Sequence, residues 1–286
     1  MYSVSRCRLK KLLINFELIK FALKHPKIGI RNYLAAHEKA LPYKDVEFCK
    51  NNSLPITDII QSITSVTDFK INEHEKELVD LKVHLLKFTK LIEKIQWPSK
   101  EKPYDINYAI DFTTGLFLYS LIRVTKPEIV IETGTAYGFS SSFILQALEN
   151  NETGELFSID YVFNPWQTKY MIGKAIPKNL RKRWTLIFGP SVDKLSDLLS
   201  SQKPDIFIHD SEHTYKNMLF EFETVFPHLN ENGFILSDDI LDNNAFHEFY
   251  KKHNLIPYFL EQKGRKHHNS DLTKLFGILE KHRNSI

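Results

Sequence analysis

Two cysteines, Cys7 and Cys49, in 286 residues give no basis for a disulfide framework or a thiolate zinc site. A reducing, cytoplasmic setting is the expectation. No run approaches the roughly 20 apolar residues that a membrane span needs. The basic N-terminus does not read as a signal peptide, because Glu17, Lys20 and Lys24 interrupt any apolar stretch and no small-residue cleavage site follows. Charge of one sign is scarce too: a formal charge of +3 is too small to argue for a nucleic-acid partner. The charge is uneven, however. Residues 1–50 hold eleven Lys/Arg against four Asp/Glu, a balance of +7 that leaves −4 for the remainder. There is no internal repeat and no low-complexity stretch.

A composition of 42% hydrophobic and 26% charged residues suits an ordinary globular chain of one large domain, or a larger and a smaller one. From Arg8 to Lys24, Leu9, Leu12, Leu13, Phe16, Ile19 and Leu23 recur at helical spacing with lysines between them, and Pro26 ends the pattern. Such a helix packs on its own protein as a rule; peripheral contact of residues 8–24 with an anionic membrane is the other reading. A second helix is expected over Glu73–Gln96. Its Leu78, Leu81, Leu85, Phe88, Ile92 and Ile95 alternate steps of three and four, a short coiled-coil seam that would pair with the first helix or with a second subunit, favouring a homodimer. Trp97–Pro103 reads as a linker. Residues 1–104 thus form a helical cap or assembly region, and residues 105–286 a second domain.

Past the linker the pattern changes. A helix over Ile110–Val124 leads to a strand at Glu128–Glu132, and further short strands are expected at Leu156–Ile159, Thr185–Phe188, Ile206–His209 and Phe234–Ser237. Helical stretches separate them, which implies an α/β fold with a parallel sheet covered on both faces. Ile256–Gln262 and Leu275–Glu280 read as a late antiparallel pair.

The first strand runs into Glu132-Thr133-Gly134-Thr135-Ala136-Tyr137-Gly138-Phe139-Ser140 and then a helix. A glycine-bearing turn between strand and helix lets a nucleotide-like ligand approach backbone N–H groups at the helix start. The glycines are spaced unlike the dinucleotide fingerprint, which argues against an NAD(P)-dependent oxidoreductase. Asp160 ends the second strand, where a carboxylate can accept the hydroxyl hydrogens of a ribose. Residues 132–140 resemble the first motif of class I, S-adenosylmethionine-dependent methyltransferases of the small O-methyltransferase type. The resemblance implies a Rossmann-like sheet of seven strands, mostly parallel, with the last two antiparallel. It further implies that the glycine turn holds the methionine part of S-adenosyl-L-methionine and Asp160 its ribose. The cofactor-binding set expected on this basis is Glu132, Gly134, Thr135, Tyr137, Gly138, Ser140, Asp160, Ser191 and Asp210.

Downstream, His209-Asp210-Ser211-Glu212-His213-Thr214-Tyr215 closes the strand Ile206–His209, and Asp238-Asp239 close Phe234–Ser237. The carboxyl ends of neighbouring parallel strands share one edge, so Asp210, Asp238 and Asp239 are expected to converge. Three carboxylates call for positive charge, and Mg²⁺ or a similar divalent cation with oxygen ligands answers it. His213 follows Asp210 by three residues, within reach of a substrate hydroxyl as general base. This pattern resembles metal-dependent O-methyltransferases that act on sugar hydroxyls of macrolide and related natural products, and their cephalosporin-pathway relatives. In those the acidic pair is often Glu-Asp, where this chain has Asp238-Asp239. The resemblance implies a small-molecule or sugar hydroxyl acceptor. A metal-independent methyltransferase, acting perhaps on nitrogen, and a non-catalytic protein that keeps the fold are the alternatives. The aromatic segment Tyr161–Asn179, with Trp166 and Tyr170, reads as a lid. Tyr215 reads equally as acceptor pocket or core, and Gly189-Pro190-Ser191 as an ordinary turn or an adenine loop. Arg181-Lys182-Arg183 and Lys263–His268 read as solvated surface.

Overall fold

The computed structural model describes residues 14–267 and 270–282. The N-terminal region contains a helix over residues 14–24 (α1), then α2 (Pro26–Ala36), α3 (Val46–Asn51), α4 (Ile56–Thr64), α5 (Ile71–Glu77) and α6 (Val79–Glu93). From α7 (Phe112–Thr125) the chain alternates: β1 (Ile129–Thr133), α8 (Phe139–Asn150), β2 (Glu155–Asp160), β3 (Trp184–Phe188), α9 (Ser191–Leu199), β4 (Ile206–His209), α10 (Tyr215–Val225), β5 (Phe234–Ser237), α11 (Ala245–Lys252), β6 (Pro257–His267) and β7 (Ser270–Glu280). The seven strands form one sheet in the order β3-β2-β1-β4-β5-β7-β6. β1 to β5 run parallel, and β7 is antiparallel to both β5 and β6. This is the Rossmann-like sheet with an antiparallel C-terminal pair that the motifs imply.

The strands are short apolar runs because both sheet faces are covered. Side chains alternate between two cores. Val130, Ile206, Ile208, Phe234 and Leu236 face one cluster, while Ile131, Phe207 and Ile235 face the other. The first core takes α4 to α8; the second takes α9, α10 and α11.

The single helix expected over Glu73–Gln96 is two helices, α5 and α6, joined at Leu78. Its seam is not free for a partner. Leu78, Leu81, Leu85 and Ile92 are buried in the first core, and Phe88 and Ile95 pack against it. The same cluster therefore runs across residue 104, from Ile56 on one side to Ile278 on the other. Glu77 adds polar ties at the surface: it accepts from Tyr119 Oη and pairs with Arg123 at 3.2 Å. Residues 53–54 lie along the open edge of β6, with Leu54 N donating to Phe259 O at 3.0 Å, which protects that edge from foreign strands. Residues 8–13 of the first expected helix lie outside the described residues. Residues 263–267 continue β6, and residues 268–269 lie outside the described residues as well. Among the described residues, no helix is long and apolar enough to cross a membrane.

α7 and α8 pack closely because Gly115 leaves room for a ring: a Cβ there would lie 2.4–2.6 Å from Phe143. Alanine would gain about 1 kcal/mol of helix propensity, but forcing a rigid ring out of a filled core costs about 1–3 kcal/mol. Gly115→Ala is therefore expected to lower the urea midpoint with an unchanged m-value. A higher midpoint would show that the ring moves freely.

Candidate active site

Chain order along the sheet reverses between β1 and β4, which is where parallel α/β sheets open a crevice at their carboxyl ends. Here a cleft of about 1410 Å³ spans both the glycine turn and the acidic segment after β4. Gly134 makes the junction. Its φ is +84°, and a Cβ would lie 1.9 Å from the Asp210 carbonyl oxygen, so only glycine lets the two turns touch. Gly138 (φ +85°) starts α8 and leaves no room beside Ile176, which a Cβ would approach to 2.7 Å.

Asp160 underpins this turn. Its Oδ2 accepts from the N–H groups of Thr135 at 3.0 Å and Ala136 at 2.8 Å, and its Oδ1 from Tyr161 N at 2.6 Å. Burial outweighs those three donors and pushes the carboxyl up to about 6. Asp160 also lines the cleft, and since Oδ2 already accepts two bonds it is Oδ1 that keeps a second acceptor position.

Glu132 is placed differently from the expectation. It is fully buried and absent from the cleft wall. Its carboxylate accepts from the hydroxyls of Ser140, Ser141 (2.6 Å) and Ser158 (2.9 Å), clamping α8 and β2 to β1. It therefore braces the turn instead of facing a ligand. Burial pushes it up to about 7 against the pull of those hydroxyls. Ser140 lines the cleft but gives its hydrogen to Glu132. Tyr137 is 2% exposed and donates to the Tyr104 carbonyl at 3.1 Å. Thr135 and Ser191 line the cleft, and Ser191 donates to Asn217 at 3.4 Å.

At the other end of the cleft the acidic residues divide. Ligand atoms of Asp210, His213 and Asp238 lie within 4.8 Å of one another; a second group is His213, Asp239 and Asp242. Asp239 does not join Asp210 and Asp238 as expected. Its Oδ1 accepts from Lys274 Nζ at 2.5 Å and its Oδ2 lies 3.1 Å from His213 Nδ1. Asp238, 2% exposed, accepts from Gln262 Nε2 at 2.5 Å. Burial alone would lower the His213 pKa, but Asp239, Asp210 and Asp238 together raise it to about 10. His213 and Lys274 in turn hold Asp239 far below the usual carboxylate range, against its burial.

Beneath this layer Glu221 is fully buried. It accepts from Thr133 (2.6 Å), His209 Nδ1 (2.6 Å), Ser211 (2.8 Å) and Asn217 (3.0 Å). One carboxylate thus ties together the ends of β1 and β4 and the start of α10. The N-terminal region closes the cleft from outside. Asn32 donates to the Phe163 carbonyl at 2.7 Å, and Arg31 sits 6.0 Å from the Tyr161 ring centre. Trp166 lines the cleft, whereas Tyr170 is 72% exposed and does not. Tyr215 lies outside it too, donating to Glu248 at 2.6 Å. Arg181 is not mere surface, since it donates to the Gly173 carbonyl at 2.6 Å and so supports the segment under Gly138.

Sequence reasoning missed Lys274, Gln262, Glu221 and Tyr104, which lines the cleft beside Tyr137. A signal did exist for Lys274. β7 runs antiparallel to β5 with Ser237 opposite Gly277, so residues before Gly277 continue past the end of β5 to the level of Asp238 and Asp239.

Residues 131–240 match the family described as a methyltransferase domain. No curated protein matches the chain. Among solved structures, the O-methyltransferase from Bacillus cereus in complex with SAH is similar at 15% identity, covering 82% of this chain and 99% of that one, with a TM-score of 0.51. The O-methyltransferase TomG from Streptomyces achromogenes, involved in tomaymycin synthesis and bound to SAM, is similar at 11% identity over 82% and 99%, with a TM-score of 0.52. The SAH-bound methyltransferase PaMTH1 of Podospora anserina is similar at 14% identity over 86% and 100%, with a TM-score of 0.50. At these identities the likeness is one of fold. Residues 131–240 thus match a methyltransferase domain, and the sheet around them has the fold of these solved structures.

The raised carboxyl of Glu132 has a signed effect on stability. A folded pKa of about 7 against the usual 4.5 of a glutamate means stability that is full below pH 4.5 and is lost as pH rises through 7. Asp160 adds to the same slope. Across that window the urea midpoint of the wild type should fall relative to Glu132→Gln, which does not titrate. Parallel profiles would contradict the assignment.

Proposed function

We propose that this methyltransferase domain transfers the methyl group of S-adenosyl-L-methionine to a hydroxyl of a small molecule or sugar, assisted by Mg²⁺ or a similar divalent cation. The observation that supports this best is the single cleft joining the glycine turn and Asp160 to the His213, Asp210 and Asp238 group. The methionine part would lie along Gly134–Gly138, the ribose at Asp160 and the adenine side near Ser191. The acceptor would enter toward His213.

The donor set suits a hard cation. Asp210 and Asp238 offer oxygens, with a histidine nitrogen within 4.8 Å. Such an ion would act as a Lewis acid that lowers the pKa of a bound hydroxyl. His213 is the proton acceptor in this reading. S-adenosyl-L-methionine held along the glycine turn would supply an electrophilic methyl group to the acceptor oxygen, and His213 would take the hydroxyl proton. A histidine held up to about 10 is already protonated at neutral pH. Positive charge that offset Asp239, Asp210 and Asp238, the carboxylates that raise it, would ease its role as proton acceptor. One observation favours a metal-independent variant: Lys274 already supplies a cation 2.5 Å from Asp239.

Calorimetric titration with S-adenosylhomocysteine tests the cofactor reading. Wild type should bind, and Asp160→Ala should bind about 1–3 kcal/mol more weakly, the loss of a charge-assisted hydrogen bond in a buried site. Absence of binding by the wild type, with or without Mg²⁺, would overturn it. Mg²⁺ heats that persist in Asp238→Ala would remove the proposed ion site alone.

A further inference from the structure

Asp239 spends both oxygens on cations of its own chain. Lys274, with a side chain 13% exposed, donates to one of them at 2.5 Å. The other faces His213 Nδ1 at 3.1 Å. The second ring nitrogen, Nε2, is buried with no hydrogen-bond partner among the described residues, 3.6 Å from Asp210 Oδ1. Asp239 also has a left-handed backbone, φ +48°, a conformation that aspartate tolerates better than most residues.

We infer that Asp239 and Lys274 are positioning residues: Asp239 fixes the His213 ring through Nδ1–H, and Lys274 fixes Asp239, so that Nε2 is the nitrogen presented to Asp210 and the cleft. What His213 then does rests on the function proposed above; the arrangement itself does not.

Three physical points support the assignment. An imidazole that donates from Nδ1 to a carboxylate keeps Nε2 for other work, and a carboxylate behind the ring sets its orientation. A carboxylate bonded at one oxygen alone can swing about its terminal torsion, which is broad. A cation on the other oxygen stops that swing. Finally, Lys274 reaches this place because β7 runs antiparallel past the end of β5, so the contact is built into the sheet. Were Asp239 to hold a metal ion, His213 Nδ1 and Lys274 would each lose this acceptor.

The test is nuclear magnetic resonance of the full chain carrying ¹⁵N-histidine. A hydrogen-bonded Nδ1 proton of His213 should appear as a low-field signal protected from exchange. Asp239→Ala should abolish it. Lys274→Met, which fills the same space without charge, should speed its exchange roughly fivefold or more, the scale of one weakened hydrogen bond. Lys274→Arg should restore protection, which a purely steric role for Lys274 would not give. The signal should also survive Mg²⁺ added in excess. A missing signal in the wild type, one indifferent to both substitutions, or one removed by Mg²⁺ would overturn the inference. Failure of cofactor binding in the calorimetry would leave these readouts intact, so the two readings fail separately.

Discussion

The contact between Gly134 and the Asp210 carbonyl organises the site. β1 and β4 are neighbours whose onward connections leave in opposite directions, so their end turns meet over the middle of the sheet. With no side chain at Gly134, those turns touch directly. The segment that would hold a cofactor and the segment that carries Asp210 and His213 therefore share a wall. Buried and cleft-lining carboxylates around it keep this junction rigid.

Rigidity below comes from two carboxylates that never reach the cleft. Glu132 gathers three serine hydroxyls from α8 and β2, and Glu221 gathers Thr133, His209, Ser211 and Asn217. A buried carboxylate is costly unless its lone pairs are satisfied, and both are. Each links elements distant in sequence to the end of β1. Above them, Asp160 and Asp239 do the same at the cleft surface, one toward backbone N–H groups and the other toward two cations. The polar layers thus face opposite ways: the lower pair holds the scaffold, and the upper pair shapes what a ligand meets.

Much of this was legible in the sequence because it lies in local patterns. Apolar runs ending in Asp160, Asp210 and Asp238 marked the strand ends, and Gly134 and Gly138 marked the turn. Roles at the next level were not legible. Glu132 sits in the motif like a ligand residue, yet its side chain points into the sheet, and only the three serines around it reveal that. Asp239 looked like a third member of an acidic trio until Lys274 arrived from β7, 35 residues away. The α5–α6 seam read as a contact with the first helix or with a second subunit because a heptad pattern cannot say whose surface it meets. Periodicity identifies a face and the rest of the fold supplies its partner.

The N-terminal region has a bearing on the order in which the molecule becomes competent. Glu38 accepts from the backbone N–H of Tyr215 at 2.6 Å across 177 residues of sequence, and Asn32 reaches the Phe163 carbonyl across 131. Contacts between such distant positions carry a large loop-closure entropy and form late. On a ribosome, the residues that roof the cleft emerge first and wait for the sheet they will cover. The cleft acquires its outer wall only once the C-terminal half has folded, and a chain halted partway would present an N-terminal region with nothing to close over.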